Sequence, residues 1–129
     1  MVAAMMCRIH QSGRLDSLSA EAAAHVAEGI RIYKEVLRKH ISAAVPFYPL
    51  GTSDVTNFEA PVALGMRSPE QRLLAVWRID GSATTKIPLA ITNPKLLYTT
   101  DLGIKITAAD GALNVEFPRQ RMACLIQAT

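Results

Sequence analysis

Beyond Pro69 the chain breaks into short apolar runs separated by turn signals, and this rhythm constrains its fold more tightly than any other feature. Leu73-Leu74-Ala75-Val76-Trp77 runs into Asp80-Gly81, and Ile87-Pro88-Leu89-Ala90-Ile91 ends at Asn93-Pro94. Leu96 to Thr99 leads to Asp101-Leu102-Gly103, and Ile104-Lys105-Ile106-Thr107 alternates toward Asp110-Gly111. Leu113-Asn114-Val115-Glu116-Phe117 alternates strictly, and Arg121 to Gln127 closes the chain as a mostly apolar strand. An Asp-Gly pair suits a two-residue turn, so Asp80-Gly81 and Asp110-Gly111 are both expected to close hairpins. Six short strands at a spacing of roughly 8–12 residues describe an antiparallel sandwich or Greek-key sheet.

The first half keeps a different period. Ser19 is a good N-cap, and Glu21 sits in the positive field of the helix start. From there Val26, Ile30, Tyr33, Leu37 and Ile41 recur at steps of 4, 3, 4 and 4, one apolar stripe on a helix of about six turns. Ala22, Ala23, Ala24 and Gly29 keep the helix slim, which suits close approach to a sheet. Lys34, Arg38 and Lys39 gather in its last turns, where cations favour the negative helix end. Between helix and strands, residues 42–71 lose periodicity and are punctuated by Pro46, Pro49, Gly51, Pro61 and Gly65. With Phe47, Tyr48, Phe58 and Leu64 able to dock, this stretch reads as an ordered connector. Met1 to His10 is apolar and turns polar at Arg8; its alanines and methionines favour helix, while its length and the Ser12-Gly13 stop favour a buried strand.

Composition narrows the function classes. Half of the 129 residues are hydrophobic, mean hydropathy is +0.17 and only 19% are charged, below the roughly 25% usual for globular chains. That describes either a well-covered core or part of something larger. The net charge of +3 is too small to argue for nucleic acid as a partner. The basic stretch Arg31 to Lys39 is interleaved with Glu28 and Glu35 at helical spacing, as on a solvated face. Cys7 and Cys124 are too few for a disulfide framework and have no metal-ligand spacing. Met1 to Cys7 has no basic leader and is far shorter than the roughly 18 residues of a membrane span, so a cytoplasmic, reduced protein without a membrane partner is expected.

One run carries more. Arg8 to Gly51 reads R-I-H-Q-S-G-R-L-D-S-L-S, then an amphipathic helix closing through Ile32-Tyr33-Lys34-Glu35, then Pro46-Phe47-Tyr48-Pro49-Leu50-Gly51. Ala63-Leu64-Gly65, Leu74-Ala75-Val76-Trp77-Arg78 and Ile87-Pro88-Leu89 follow. The combination resembles the carboxyl-terminal end of the α-galactosidases of glycoside hydrolase family 36, the raffinose and melibiose hydrolases. The resemblance is strong to about Gly65 and looser beyond. It implies an α+β chain in three parts. Residues 1–41 would be the last strand–helix unit of a (β/α)8 barrel, 42–71 the connector, and 72–129 an antiparallel β-sandwich or Greek-key domain. Met1 to His10 would then be a helix end running into the last parallel barrel strand, with Ser12-Gly13 at that strand's carboxyl end and Met1 either an internal methionine of the parent or the start of a truncated reading frame.

Glycoside hydrolysis needs two carboxyl groups about 5–9.5 Å apart. Of the 11 acids, Asp80, Asp101 and Asp110 read as turn residues, Glu21, Glu28 and Glu35 as an exposed helix face, and Asp54 and Glu59 share a loop. The catalytic aspartates of the resembled family lie on earlier barrel strands, so no catalytic residue is assigned here. Ser12 and Gly13 are the one position that could touch substrate, since barrel sites sit at the carboxyl ends of the strands. The plainer alternative is that Gly13 makes the strand-to-helix turn and Ser12 caps it. His10, His25 and His40 show no metal or relay spacing, and no metal or cofactor is expected.

The leading expectation is a carboxyl-terminal structural piece of an α-galactosidase-like enzyme, inactive by itself. Its partner would be the rest of the barrel or a second copy of itself, packed through residues 1–41, with galactoside a substrate only of the parent. The alternative is a free-standing β-sandwich that binds carbohydrate or a protein. Such modules stack sugars on exposed aromatics, whereas Trp77, inside Leu-Leu-Ala-Val-Trp, reads as core. A small regulatory or assembly protein is a third possibility.

Overall fold

In the computed structural model of the chain, residues 1–9, 13–52, 54 and 56–128 are described. The fold is mixed α+β, in three layers. One helical turn, α1 (Val2–Met5), and a 3-10 turn at Leu15–Ser17 precede the main helix. That helix runs as α2 (Ala20–Ile32), a π-helical turn over Tyr33–Leu37, and α3 (Arg38–Ile41). Among the described residues eight strands follow: β1 (Val45–Phe47), β2 (Val62–Arg67), β3 (Arg72–Arg78), β4 (Thr84–Ile87), β5 (Lys95–Tyr98), β6 (Lys105–Ala109), β7 (Ala112–Glu116) and β8 (Met122–Ala128). They form an antiparallel five-stranded sheet in the order β1-β2-β3-β8-β5 and an antiparallel three-stranded sheet in the order β4-β7-β6.

Strand period explains the layering. Successive side chains on a strand point to opposite faces. On β3, Leu74 and Val76 join Cys124 and Ile126 of β8 against Ile87, Leu113 and Val115 of the smaller sheet, a core closed by Phe117. Leu73 and Ala75, with Leu125 and Tyr98, face the other way and meet Met5, Met6, Ile32 and Leu37. The five-stranded sheet is therefore the middle layer, buried on both sides, which is why β3 reads as a continuous apolar run.

The helix is capped as expected: the backbone N–H of Ala22 donates to Ser19 Oγ at 3.2 Å. The expected stripe is only half right. Gly29, Ile32 and Leu37 are the buried positions, while Val26, Ile30, Tyr33 and Ile41 are half-buried. Ile32 and Leu37 are five residues apart, a step that would rotate a side chain about 140° around a regular α-helix. The π turn absorbs the extra residue and keeps both on the sheet.

Two local expectations are corrected. The stretch 42–71 is not all connector, because β1 and β2 lie in it and extend the larger sheet. Phe47 pairs with Gly65 across those two strands, and its ring covers the glycine so closely that a Cβ there would collide with it. Asp110-Gly111 does close a hairpin, with φ of 52° and 71° joining Ala109 to Ala112. Asp80-Gly81 does not: β3 and β4 belong to different sheets, and the dipeptide lies where the chain crosses between them. The Arg78 guanidinium holds that crossing, donating to the Gly81 carbonyl at 3.0 Å and the Phe117 carbonyl at 3.2 Å. Finally, among the described residues no strand precedes Val45; residues 2–5 are helical, and Gly13 is an exposed bend. The barrel strand expected to end at Ser12-Gly13 falls partly on residues 10–12, outside the described residues. No helix is long and apolar enough to cross a membrane among the described residues.

Candidate functional site

Two clefts bring polar and aromatic groups together. The first lies where α2 crosses the end of β5. Tyr98, the last residue of β5, is buried, and its hydroxyl donates to the His25 carbonyl at 3.1 Å. That bond ties the helix to the sheet at His25. β5 bulges at Leu97, and Thr99, the residue after the strand, takes a left-handed φ of 52°. This conformation is costly for a β-branched residue. Thr99 is held there by its hydroxyl, which donates to the Ala123 carbonyl at 3.0 Å, and by the turn bond from Leu102 N–H to its own carbonyl. The turn delivers Asp101 to the helix. His25 Nε2 stands 4.0 Å from Asp101 Oδ2 and 3.9 Å from Glu21 Oε1. One donor atom each from His25, Glu28 and Asp101 lies within 4.8 Å of the others.

The cleft beside this group measures about 320 Å³ and includes Trp77, Tyr98, Thr99, Arg119 and Arg121 in its walls. Arg121 is also left-handed, at φ 57°. Trp77, read from sequence as core, packs on the helix side of the sheet but is only half-buried. The Tyr98 phenol is pushed above its ordinary pKa, first by burial and then by the negative charges of Glu28 and Asp101. The phenol therefore stays protonated and keeps its bond to the helix.

The second cleft, about 390 Å³, belongs to the loop between β1 and β2 and the end of β3. Tyr48 and Phe58 line it, each 55% exposed, with Asp54, Asn57, Val62 and Ile79. Asp54 and Asn57 are engaged with their own loop. Asp54 Oδ1 accepts from Thr56 N–H at 2.9 Å and the Thr56 hydroxyl at 2.7 Å, and those bonds hold its carboxyl below the usual pKa. Asn57 Oδ1 accepts from the N–H groups of Glu59 and Ala60. Glu59 lines a different hollow, with Pro61 and Arg78, so the loop does not bring Asp54 and Glu59 into one cleft.

Of the two residues expected to touch substrate, Ser12 lies outside the described residues, and Gly13 is exposed and in the wall of neither cleft. His10 is also outside them. His40 meets Glu70 at 3.5 Å on the surface. The His25 group escaped the sequence reading, which placed Glu21 and Glu28 on a solvated face and Asp101 in a turn. The signal that was present is the spacing of Glu21, His25 and Glu28, which puts all three on one helical face. Nothing local announces Asp101. No family model and no curated protein matches this chain.

Proposed function

We propose that this chain is the carboxyl-terminal part of an α-galactosidase-like glycoside hydrolase, a structural unit without catalytic residues of its own. The parent would hydrolyse terminal α-galactosides such as raffinose and melibiose. In this reading residues 1–41 include the last strand–helix unit of the barrel, and the sandwich packs beside it. The motif run from Arg8 to Gly51 motivates the assignment. The observation that carries it is the distribution of exposed apolar side chains. Leu15, Leu18, Val45, Tyr48 and Phe58 are the large hydrophobic residues left exposed among those described, and all precede β2. Exposed apolar side chains favour burial against a partner, and here they lie on the segments read as the barrel unit and the connector. The partner is the rest of that barrel or, without it, a second copy of this chain joined by a two-fold contact. Free thiols at Cys7 and Cys124 support a reducing, cytoplasmic setting.

The decisive test is the reading frame upstream of the Met1 codon. An in-frame barrel with aspartates at its strand ends is the expected result, and a nearby stop codon followed by a ribosome-binding site overturns the proposal. Purified alone, the chain should not turn over a chromogenic α-galactoside.

One observation favours a second reading, a carbohydrate-binding module. Exposed Tyr48 and Phe58 flank a single cleft, and aromatic faces of this kind stack on sugar rings. Saturable binding of a galactoside, lost in Tyr48→Ala, would select this reading over the first.

A further inference from the structure

The geometry points to a divalent-metal site at His25, Glu28 and Asp101, with zinc as the best-fitting ion. It is independent of the glycosidase reading. Three side chains of the right chemistry, from two elements 73 residues apart between Glu28 and Asp101, place a donor atom each within 4.8 Å of the others. A tetrahedral zinc with bonds of about 2.0–2.2 Å holds its ligand atoms about 3.4 Å apart. Glu28 is half-buried and Asp101 is exposed on its turn, so the remaining approach of roughly an ångström is a side-chain rotation and not a movement of backbone. The backbone is already fixed on both sides of the site. The Tyr98 hydroxyl pins the helix at His25 itself, and left-handed Thr99, bonded to Ala123, fixes the turn that carries Asp101.

The donor set decides the class of ion. One imidazole with two carboxylates suits zinc or manganese over copper(I), which prefers sulfur, and over magnesium, which keeps its waters. Three protein ligands leave a fourth position for water or a ligand oxygen, the arrangement of an open site. Glu21, one turn before His25 and 3.9 Å from its Nε2, is the carboxylate in reach to occupy that position instead. The structure also holds a competing account of the same residues. His25, when protonated, can pair with Asp101 and Glu21 as an ordinary surface ion-pair group. Metal binding and ion pairing differ in what they demand of His25: a ligand must be the neutral imidazole, whereas the pair needs the cation.

The test is titration of the full chain at pH 7.5 with zinc, followed by competition against a chromogenic chelator, in a Cys7→Ser background that removes the exposed thiol. One equivalent bound at low micromolar or tighter dissociation constant is expected, with a rise in melting temperature. His25→Ala and Asp101→Asn should each weaken binding by tenfold or more, while His40→Ala leaves it unchanged. Asp101→Asn lies on an exposed turn and keeps the size of the side chain, so it reads the site without disturbing the helix. Cobalt(II) in place of zinc should give a visible spectrum of nitrogen and oxygen ligation that is lost in His25→Ala. The absence of saturable binding overturns the inference, as does binding that survives both His25→Ala and Asp101→Asn. Binding abolished by His40→Ala would also overturn it, placing the metal at His40 and Glu70.

Discussion

Phe117 and Phe58 stand at the two extremes of this molecule. Phe117 follows β7, is almost fully buried, and lies where the two sheets close on each other. Phe58 sits in the loop before β2 and exposes more than half of its surface. The contrast holds region by region. From Val62 onward each strand has a second layer to bury its apolar side chains against, and none of the large hydrophobic residues described there is exposed. From Leu15 to Phe58 the chain has only one face to lean on. The helix covers the back of the five-stranded sheet with Ile32 and Leu37, buries Gly29 under the Met1 side chain, and leaves the rest of its stripe half-open. The same hydrophobic composition thus yields a closed sandwich in one region and an unfinished surface in the other. The difference lies in the number of layers available, not in the residues.

The largest test of that contrast is the phenylalanine pair. Phe117→Ala should destabilise the fold by about 3–5 kcal/mol, the ordinary cost of emptying a core aromatic site. Phe58→Ala should stay within about 0.5 kcal/mol, because its surface is already in water. Chemical denaturation of both variants measures this, and a similar loss in each would erase the distinction between the regions. Next in size is the helix–sheet contact. Leu37→Ala removes a fully buried side chain held on the sheet by the π turn and should cost about 2–4 kcal/mol. Ile30→Ala, on the expected but half-open part of the stripe, should cost less than half as much. Equal losses would mean that the regular stripe, and not the π-shifted set, makes the contact.

A smaller effect is expected where the two regions join. Phe47 of β1 lies over Gly65 of β2, and a methyl group on that glycine would strike the ring. An aromatic ring has few ways to move aside, so Gly65→Ala should cost about 1–3 kcal/mol, as for an overpacked core. If Phe47→Ala is made first, the added cost of Gly65→Ala should fall toward zero, and a persistent cost would place its origin elsewhere than in the ring.

How much was legible in the sequence follows from which physical signals are local. Five of the six strands after Pro69 were visible, since alternation and turn residues mark them; the other was expected over Ile87–Ile91, whereas β4 spans Thr84–Ile87 and shares only Ile87 with that run. The Ser19 cap and the helix were equally plain. β2 was missed because Val-Ala-Leu-Gly-Met-Arg faces apolar layers on both sides and so loses the period of two. The two Asp-Gly pairs show the limit most clearly. Both satisfy the local chemistry of a turn, yet only Asp110-Gly111 joins paired neighbours, and pairing is decided by the whole sheet order. The His25 group divides in the same way: its helical part is a spacing, while Asp101 arrives through the bulge at Leu97 and the left-handed Thr99, neither of which has a sequence signature.

Cysteine chemistry gives the last and smallest comparison, one thiol from each region. Cys7 is exposed, whereas Cys124 is fully buried on β8, and burial pushes its pKa from 9.0 up to about 12. The thiolate is the reactive form, so a thiol reagent at pH 8 should label Cys7 and leave Cys124 untouched until the protein unfolds. The shift also sets a pH dependence. In the unfolded chain Cys124 loses its proton near pH 9, while in the folded chain it keeps it to about 12. The unfolded state therefore binds fewer protons between those values, and stability falls as pH rises through that window. Well below pH 9 the thiol is protonated in both states and contributes nothing to the slope. At pH 10 the loss should be about 1.4 kcal/mol, growing by a similar amount for the next pH unit. Cys124→Ala has no proton to lose, so its stability should decline less steeply than that of the wild type between pH 9 and 11. Parallel curves for the two proteins would mean that the Cys124 thiol ionises freely in the folded state, and that the core beneath β8 is open to water.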